Sequence, residues 1–480
     1  MRSFLPLLAA LVAPVLPAAH AEVDASIASK LQIEYTPQEF HLHWETQAGA
    51  SYQVESSTAL TDDWLPIGEA RTGDGLTMSF SEPVTGLQKF YRVNMTGTKP
   101  IISKVAVVGD SNTLQGSLDL THISARGFYG WARVFGGARW ELTADPVDQR
   151  FCFAVPGRRS VVISATVLDR VIAAHPDVCV LAYGTNDAAQ LSSIEEYRTQ
   201  IIADWAALRA AGIEPVAMTV LPIKTGALLD HTARQARVPL LNAVVREESA
   251  AHHVPLCDWT SLMEAVPGSD NGVGLDSSYL PNDDFHPNAY AASRLGRALH
   301  QTLAEHFRFG LDPWANTHWI TPNAALEGSN GQPTSGGWYL FPPAGATVDS
   351  KTLIPTPEGN WWEIAFKQGA NLSNFYLNCF GANLEGPPAG STVEAIMEVQ
   401  VMSGSVAGIY LQAGSALATD MNNTDSVGTQ ILPSDGIVVL RTPPVLVPDN
   451  VTTVSPGVGF ISNDSSTTIR IRRCGIRRID

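Results

Sequence analysis

Val105-Ala106-Val107-Val108-Gly109-Asp110-Ser111-Asn112 is an apolar run that stops on a glycine followed by three polar residues. A strand with one face in water alternates apolar and polar residues, whereas a strand covered on both faces does not. The run therefore reads as a strand inside a parallel sheet. Val178 to Tyr183, Val216 to Val220 and Pro255-Leu256-Cys257 have the same character. Helical stretches lie between them, the clearest from Ser193 to Ala211. There Ile194, Tyr197, Ile201, Trp205 and Leu208 recur at steps of three and four, one apolar stripe. Ser192 with Glu195 offers a capping box, and Gly212 a stop. Strands alternating with helices predict an α/β domain, a doubly wound parallel sheet, over residues 99–309.

The flanks read differently. Residues 22–98 hold short strands, His41-Leu42-His43-Trp44, Tyr52-Gln53-Val54-Glu55, Thr77 to Phe80 and Phe90-Tyr91-Arg92-Val93, separated by turn residues. That spacing predicts a small β-sandwich. Tyr52 to Ser57 and Phe90 to Val93 also resemble fibronectin-type-III-like modules of secreted bacterial enzymes. Residues 312–480 return to Gly, Pro, Thr, Asn and short alternating runs closing on Thr468-Ile469-Arg470-Ile471. They predict a second β-sandwich, jelly-roll-like. At the start, Arg2, the apolar run Phe4 to Leu16 and the small residues of Ala19-His20-Ala21 have the layout of a secretory leader over residues 1–21. The run is too short to span a bilayer and contains Pro6 and Pro14. The expected location is therefore secreted or periplasmic, without stable membrane insertion.

The formal net charge is −16, which argues against nucleic acid, since its phosphates would be repelled. Cys152, Cys179, Cys257, Cys379 and Cys474 contain no CxxC pair, so neither a zinc site nor a disulfide scaffold is expected. Cys179 and Cys257 read as buried thiols. A Cys379–Cys474 bridge is open to an oxidising compartment, but spacing does not establish its geometry.

In an open parallel sheet, ligands bind beyond the carboxyl ends of the strands. Gly109-Asp110-Ser111-Asn112, Gly184-Thr185-Asn186-Asp187 and Asp283-Asp284-Phe285-His286-Pro287-Asn288 stand at such ends. Each has an ordinary reading: Ser111 as a helix cap, Asn186-Asp187 as turn or cap residues, His286 as a loop histidine. Their joint appearance in this order is what points to chemistry. Together they resemble the SGNH, or GDSL-type, hydrolase superfamily across most of residues 102–305. The resemblance implies Ser111 as nucleophile, His286 as base and Asp283 as the group that orients it. It further implies an oxyanion hole from the backbone N–H groups of Ser111 and Gly157 and the side-chain amide of Asn186. Asp110 is expected to steady the turn that presents Ser111. The chain departs from the pattern at Asn112, where the family motif has Leu, and around Gly157, which Pro156 precedes and Arg158-Arg159 follow.

A serine hydroxyl needs a neighbour to take its proton, and the i, i+3 spacing lets Asp283 and His286 approach one serine from a single turn. This chemistry requires no metal or organic cofactor. The expected activity is a carbohydrate O-deacetylase working through an acyl-enzyme on an acylated polysaccharide. The alternatives are a lipase-like or general carboxylesterase on small or lipid esters, and a catalytically silent carbohydrate-binding protein. Trp314, Trp319, Trp338, Trp361 and Trp362 gather in the last segment; they could stack on sugars, but most are expected in a sandwich core. His252-His253 is expected to face solvent. Asp420, Asn422, Asn423 and Asp425 offer oxygen ligands for calcium, with a polar loop as the simpler reading.

Overall fold

The computed structural model describes residues 7–9, 31–35, 39–46, 51–57, 65–73, 76–83, 89–95, 99–117, 119–223, 232–262, 285–315, 318–320, 338–341, 347–367, 373–379, 390–414, 417–422, 429–451, 454, 456–462 and 466–479. The chain forms two compact units, residues 1–100 with 306–308, and residues 101–305 with 309–480.

In the first unit, strand Glu39–Glu45 buries its alternate residues Phe40, Leu42 and Trp44. It runs antiparallel between Leu31–Tyr35 and Thr77–Pro83. A second sheet pairs Ser51–Ser57 with Phe90–Met95 and with Leu65–Thr72. Tyr52, Val54, Tyr91 and Val93 share one core with Phe40, Leu42 and Trp44. Two sheets that bury alternate residues against each other form a sandwich, as the sequence alternation predicts. Leu7–Ala9, within the expected leader, pairs antiparallel with Tyr91–Val93.

The second unit is built on a parallel sheet. Its order is Glu141–Leu142, Lys104–Gly109, Val178–Ala182, Glu214–Met218 and Leu256–Cys257. Phe153–Ala154 also pairs with the carboxyl end of Lys104–Gly109. Ala106 and Val108 face a core that they share with Ile163, Val167 and Val171 of helix Ser160–Ala174, with the stripe of helix Ile194–Ala210, and with Leu241 and Val245 of helix Val238–Ala251. Val105 and Val107 point to the other face by strand alternation and are equally buried. The expected stripe residues Tyr197, Ile201, Trp205 and Leu208 are all buried, with Ile194 packed at the margin. The cap lies one residue later than expected: Ser193 accepts from the Glu196 backbone N–H at 3.4 Å. Ser192 is used elsewhere, its hydroxyl accepting from Arg159. Cys152, Cys179 and Cys257 are buried thiols, and burial raises all three pKa values. Cys474 is also buried, whereas the side chain of Cys379 lies outside the described residues. His252 and His253 are exposed at the end of helix Val238–Ala251.

The remainder of this unit is two antiparallel sheets. One contains Thr347–Ile354, Trp361–Lys367, Thr467–Arg478, Thr392–Ser403 and Ile437–Arg441. The other contains Trp338–Phe341, Ser373–Cys379, Pro456–Ser462, Gly408–Ala413 and Ala418–Asn422, and is completed by His122–Ser124 from the α/β segment, which pairs parallel with Ala418–Asn422. Phe366 and Phe460, one from each sheet, have ring centroids 5.3 Å apart. Ala418–Asn422 would be an exposed edge without His122–Ser124, and such edges invite wrong pairing. Beside this junction Arg133 lies buried, 3.7 Å from Asp420, and donates to the Arg441 carbonyl at 2.8 Å. Asp420 also accepts from the Arg441 backbone N–H at 2.8 Å. The loop reading of Asp420 is therefore wrong, because it is a fully buried strand residue paired with arginine. Asn423, Asp425 and the side chain of Asn422 lie outside the described residues.

Among the late tryptophans, Trp361 and Trp362 are buried in the sandwich. Trp314 and Trp319 pack against Ala138, Ile396 and Val439. The side chain of Trp338 lies outside the described residues. No helix among the described residues is long and apolar enough to cross a membrane.

Candidate active site

Strand Lys104–Gly109 ends at a turn into the short helix Ser111–Leu114, which sets Ser111 at the sheet's carboxyl edge. Gly109 is required by close approach. A Cβ there would sit 2.0 Å from Thr113 Oγ1 and 2.7 Å from the Ala182 carbonyl oxygen. Asp110 caps the helix, its Oδ1 accepting from the Asn112 backbone N–H at 3.0 Å. It is fully buried, and that burial pushes its pKa up to about 6, since an ionised carboxylate is poorly solvated there.

His286 Nε2 stands 2.8 Å from Ser111 Oγ. That distance is within reach for proton transfer between a nucleophile and its base. With Nε2 unprotonated, His286 can accept the hydroxyl proton. Phe285, the residue before it, packs against the core under the sheet. Two residues after it, Asn288 caps the last helix, its Oδ1 accepting from the Ala291 backbone N–H at 2.9 Å. Core packing on one side and a helix cap on the other thus hold the backbone that carries His286. Asp283 lies outside the described residues.

Asn186 sits in the short helix Thr185–Ala189 after strand Val178–Ala182. Gly184 opens that helix at φ 125°, where a Cβ would meet Val220 Cγ2 at 2.5 Å. The Asn186 Nδ2 atom is buried and donates to nothing among the described residues. A buried amide with no acceptor carries a desolvation penalty, so a pre-set donor awaiting an oxyanion is a physical reason for it to stand there.

Gly157 is exposed in the turn between Phe153–Ala154 and helix Ser160–Ala174, with φ 71°. The turn is fastened at three points. Val155 donates its backbone N–H to the Gly109 carbonyl at 3.0 Å, and Gln190 Nε2 donates to the Gly157 carbonyl at 3.1 Å. Ser160 donates both its backbone N–H and its hydroxyl to the Asp187 carboxylate, each at 2.8 Å. Burial raises the Asp187 pKa, and the bonds from Ser160 oppose that rise. The cap reading of Asp187 was half right, because Asp187 caps helix Ser160–Ala174 and not its own. Asn112, the departure from the family motif, donates through Nδ2 to Thr185 Oγ1 at 3.2 Å and ties the Ser111 helix to the Asn186 helix.

Ser111 and His286 are thus in direct contact, and hydrogen bonds fasten the Gly157 turn and the Asn186 helix to the same sheet edge. Ser160, Gln190 and Thr185 were not singled out from sequence. Only the Asp in Gly184-Thr185-Asn186-Asp187 carried a signal of such a role. Among the described residues no group of three or more His, Cys, Asp or Glu could hold a metal ion.

Solved structures to which the chain is similar include a lipase/acylhydrolase from Enterococcus faecalis, 17% identical, covering 45% of this chain and 100% of that one, with a TM-score of 0.34. A GDSL-like lipase from Bacteroides thetaiotaomicron VPI-5482 is 18% identical and covers 42% and 88% of the two chains, with a TM-score of 0.32. An acetylxylan esterase from Geobacillus stearothermophilus is 17% identical and covers 43% and 96%, with a TM-score of 0.32. No curated protein matches the chain. Residues 107–293 match the model of the GDSL-like Lipase/Acylhydrolase family. That span takes in Ser111, Gly157, Asn186 and His286 together, and through it the central domain belongs to the GDSL/SGNH family of ester hydrolases.

Proposed function

We propose that the protein is an exported serine esterase that removes acetyl groups from a polysaccharide. Ser111 attacks the ester carbonyl, and His286 takes its proton and returns it to the leaving sugar hydroxyl. Asp283 orients His286. The backbone N–H groups of Ser111 and Gly157 and the Asn186 amide receive the oxyanion. The acetyl-enzyme is then hydrolysed by water activated by the same histidine. The 2.8 Å contact between His286 Nε2 and Ser111 Oγ carries this reading.

The sugar preference rests on the surface beside the serine. An open cleft of about 700 Å³ is bounded by Leu114, Val155 and Pro156, and also by Asp148, Arg150 and Arg170. A long acyl tail calls for an enclosed, mostly apolar slot, and this cleft is open and mixes apolar with charged groups. Rates on p-nitrophenyl acetate, longer-chain esters and acetylated xylan test the reading. Acetate release from xylan, with rates falling as the acyl chain lengthens, is the expected result. Preference for long acyl chains would favour a lipase-like enzyme.

A further inference from the structure

Arg150 stands out in that cleft. Arg170 engages both nearby carboxylates, Asp145 at 3.1 Å and Asp148 at 3.2 Å. Arg150 has no carboxylate within 4.0 Å among the described residues; its guanidinium donates through Nη1 to the Ser117 carbonyl at 2.6 Å. A half-buried guanidinium held by one carbonyl keeps most of its five donors and its whole charge for a ligand. The chain as a whole is strongly acidic, with net charge −16. Of the two arginines that line the cleft, Arg170 is paired with carboxylates and Arg150 has none among the described residues.

Ser111, Gly157, Asn186 and His286 do not line the cleft, but two residues that do are close to them in sequence. Leu114 lies three residues after Ser111 in the same helical turn, which places both side chains on one face. Pro156 immediately precedes Gly157. A chain whose ester lies at Ser111 can pass over Leu114 and Pro156 and extend towards Arg150.

We propose that this cleft seats a carboxylate-bearing sugar, a uronic acid unit of the acylated polysaccharide, and that Arg150 is the residue that reads its charge. This rests on the esterase reading above. A guanidinium fork matches a carboxylate with two parallel N–H···O bonds, a geometry that a lysine ammonium does not reproduce. Leu114, Val155 and Pro156 supply apolar contact for the sugar ring, and the Arg150–Ser117 bond holds the guanidinium in place.

The test compares acetylated oligosaccharides with and without a uronic acid unit, for wild type, Arg150→Met and Arg150→Lys. Arg150→Met keeps most of the stem's bulk and removes the charge. Each kcat/KM is normalised to p-nitrophenyl acetate hydrolysis by the same variant, which reports the Ser111 centre. Wild type is expected to prefer the acidic substrate, and Arg150→Met to lower the acidic-to-neutral ratio by about tenfold or more, the scale of one charged hydrogen bond. Arg150→Lys should restore that ratio only in part. An unchanged ratio in Arg150→Met overturns the proposal. Calorimetry on the Ser111→Ala protein reads binding without turnover. Tighter binding of the acidic oligosaccharide, lost on adding Arg150→Met, would uphold the cleft even if wild type proved inactive on every ester. Hydrolysis with no acidic preference would remove the cleft proposal and leave the esterase.

Discussion

Asp187 receives two hydrogen bonds from one residue, the backbone N–H and the hydroxyl of Ser160, both at 2.8 Å. Asp187 follows the candidate oxyanion donor Asn186, and Ser160 opens the helix that follows Gly157. The pair fixes the spacing between the Gly157 turn and Asn186, the two groups proposed to donate to one oxygen. Misplacing a catalytic group by about 1 Å can lower rates by about 10²-fold. Asp187→Ala is therefore expected to lower kcat by about ten- to a hundredfold with little change in KM. Ser160→Ala, which keeps the backbone bond, should lower it less. The double variant should fall no further than Asp187→Ala alone. Steady-state kinetics on p-nitrophenyl acetate reads all three, and additive losses would show that the pair does not act as a unit.

Asn186→Ala separates activity from stability. Its Nδ2 donates to nothing among the described residues, so deleting it breaks no hydrogen bond that the folded chain makes through that atom. The expected loss in kcat is about 10²- to 10³-fold, typical of one oxyanion donor. Tm should stay level or rise. A large fall in Tm with activity preserved would make Asn186 a structural residue.

Burial lifts the Asp110 pKa to about 6, above its ordinary value of 3.8. Between those two values the folded chain binds this proton more readily than the unfolded chain. Stability therefore decreases as pH rises through that window and is not recovered above it. The shift corresponds to about 3 kcal/mol. Asp110→Asn keeps an oxygen for the Asn112 N–H and removes the buried charge. In urea denaturation it should lose less stability than wild type between pH 4.5 and pH 7. Equal slopes would mean that Asp110 does not titrate in this range. Asp420, lifted to about 6 by burial at the sandwich junction, leaves a residual slope of the same sign.

Arg133 and Asp420 join the α/β domain to the last sandwich. Removing one partner strands a buried charge, which destabilises by about 3–5 kcal/mol. Arg133→Met should produce that loss, and adding Asp420→Asn should recover part of it. A chain ending near residue 311 should fold poorly, because Gly130, His122 and Ser124 lose the strand against which they lie. Thermal melts measure both. A stable, fully active truncation would make the sandwich a detachable module.

The sheet and four of its strands were legible because each rests on a local pattern, whereas the two-residue strands Glu141–Leu142 and Phe153–Ala154 are too short to leave one. Val105 to Val108 is apolar throughout, and the polar residues after it can only stand at the strand's end. The helix cap was misread by one residue because Ser192/Glu195 and Ser193/Glu196 carry the same spacing. Tertiary contact decided between them, since the Ser192 backbone N–H donates to the Asp187 carbonyl at 2.9 Å and its hydroxyl accepts from Arg159. The Arg133–Asp420 pair was not legible at all. Its partners are far apart in sequence, and nothing near Asp420 marks it as buried. Likewise, no local pattern couples Ser160 to Asp187 or Asn112 to Thr185, although these contacts organise the site.

Every proposed step depends on Ser111 as a nucleophile activated by His286. Reaction of the full chain with a fluorophosphonate, followed by mass spectrometry of the modified peptide, tests this most directly. One adduct is expected, on Ser111, absent in Ser111→Ala and formed at least about 10²-fold more slowly in His286→Ala, the scale of a lost general base. Labelling at another serine, or equal labelling of folded wild type and His286→Ala, would contradict it.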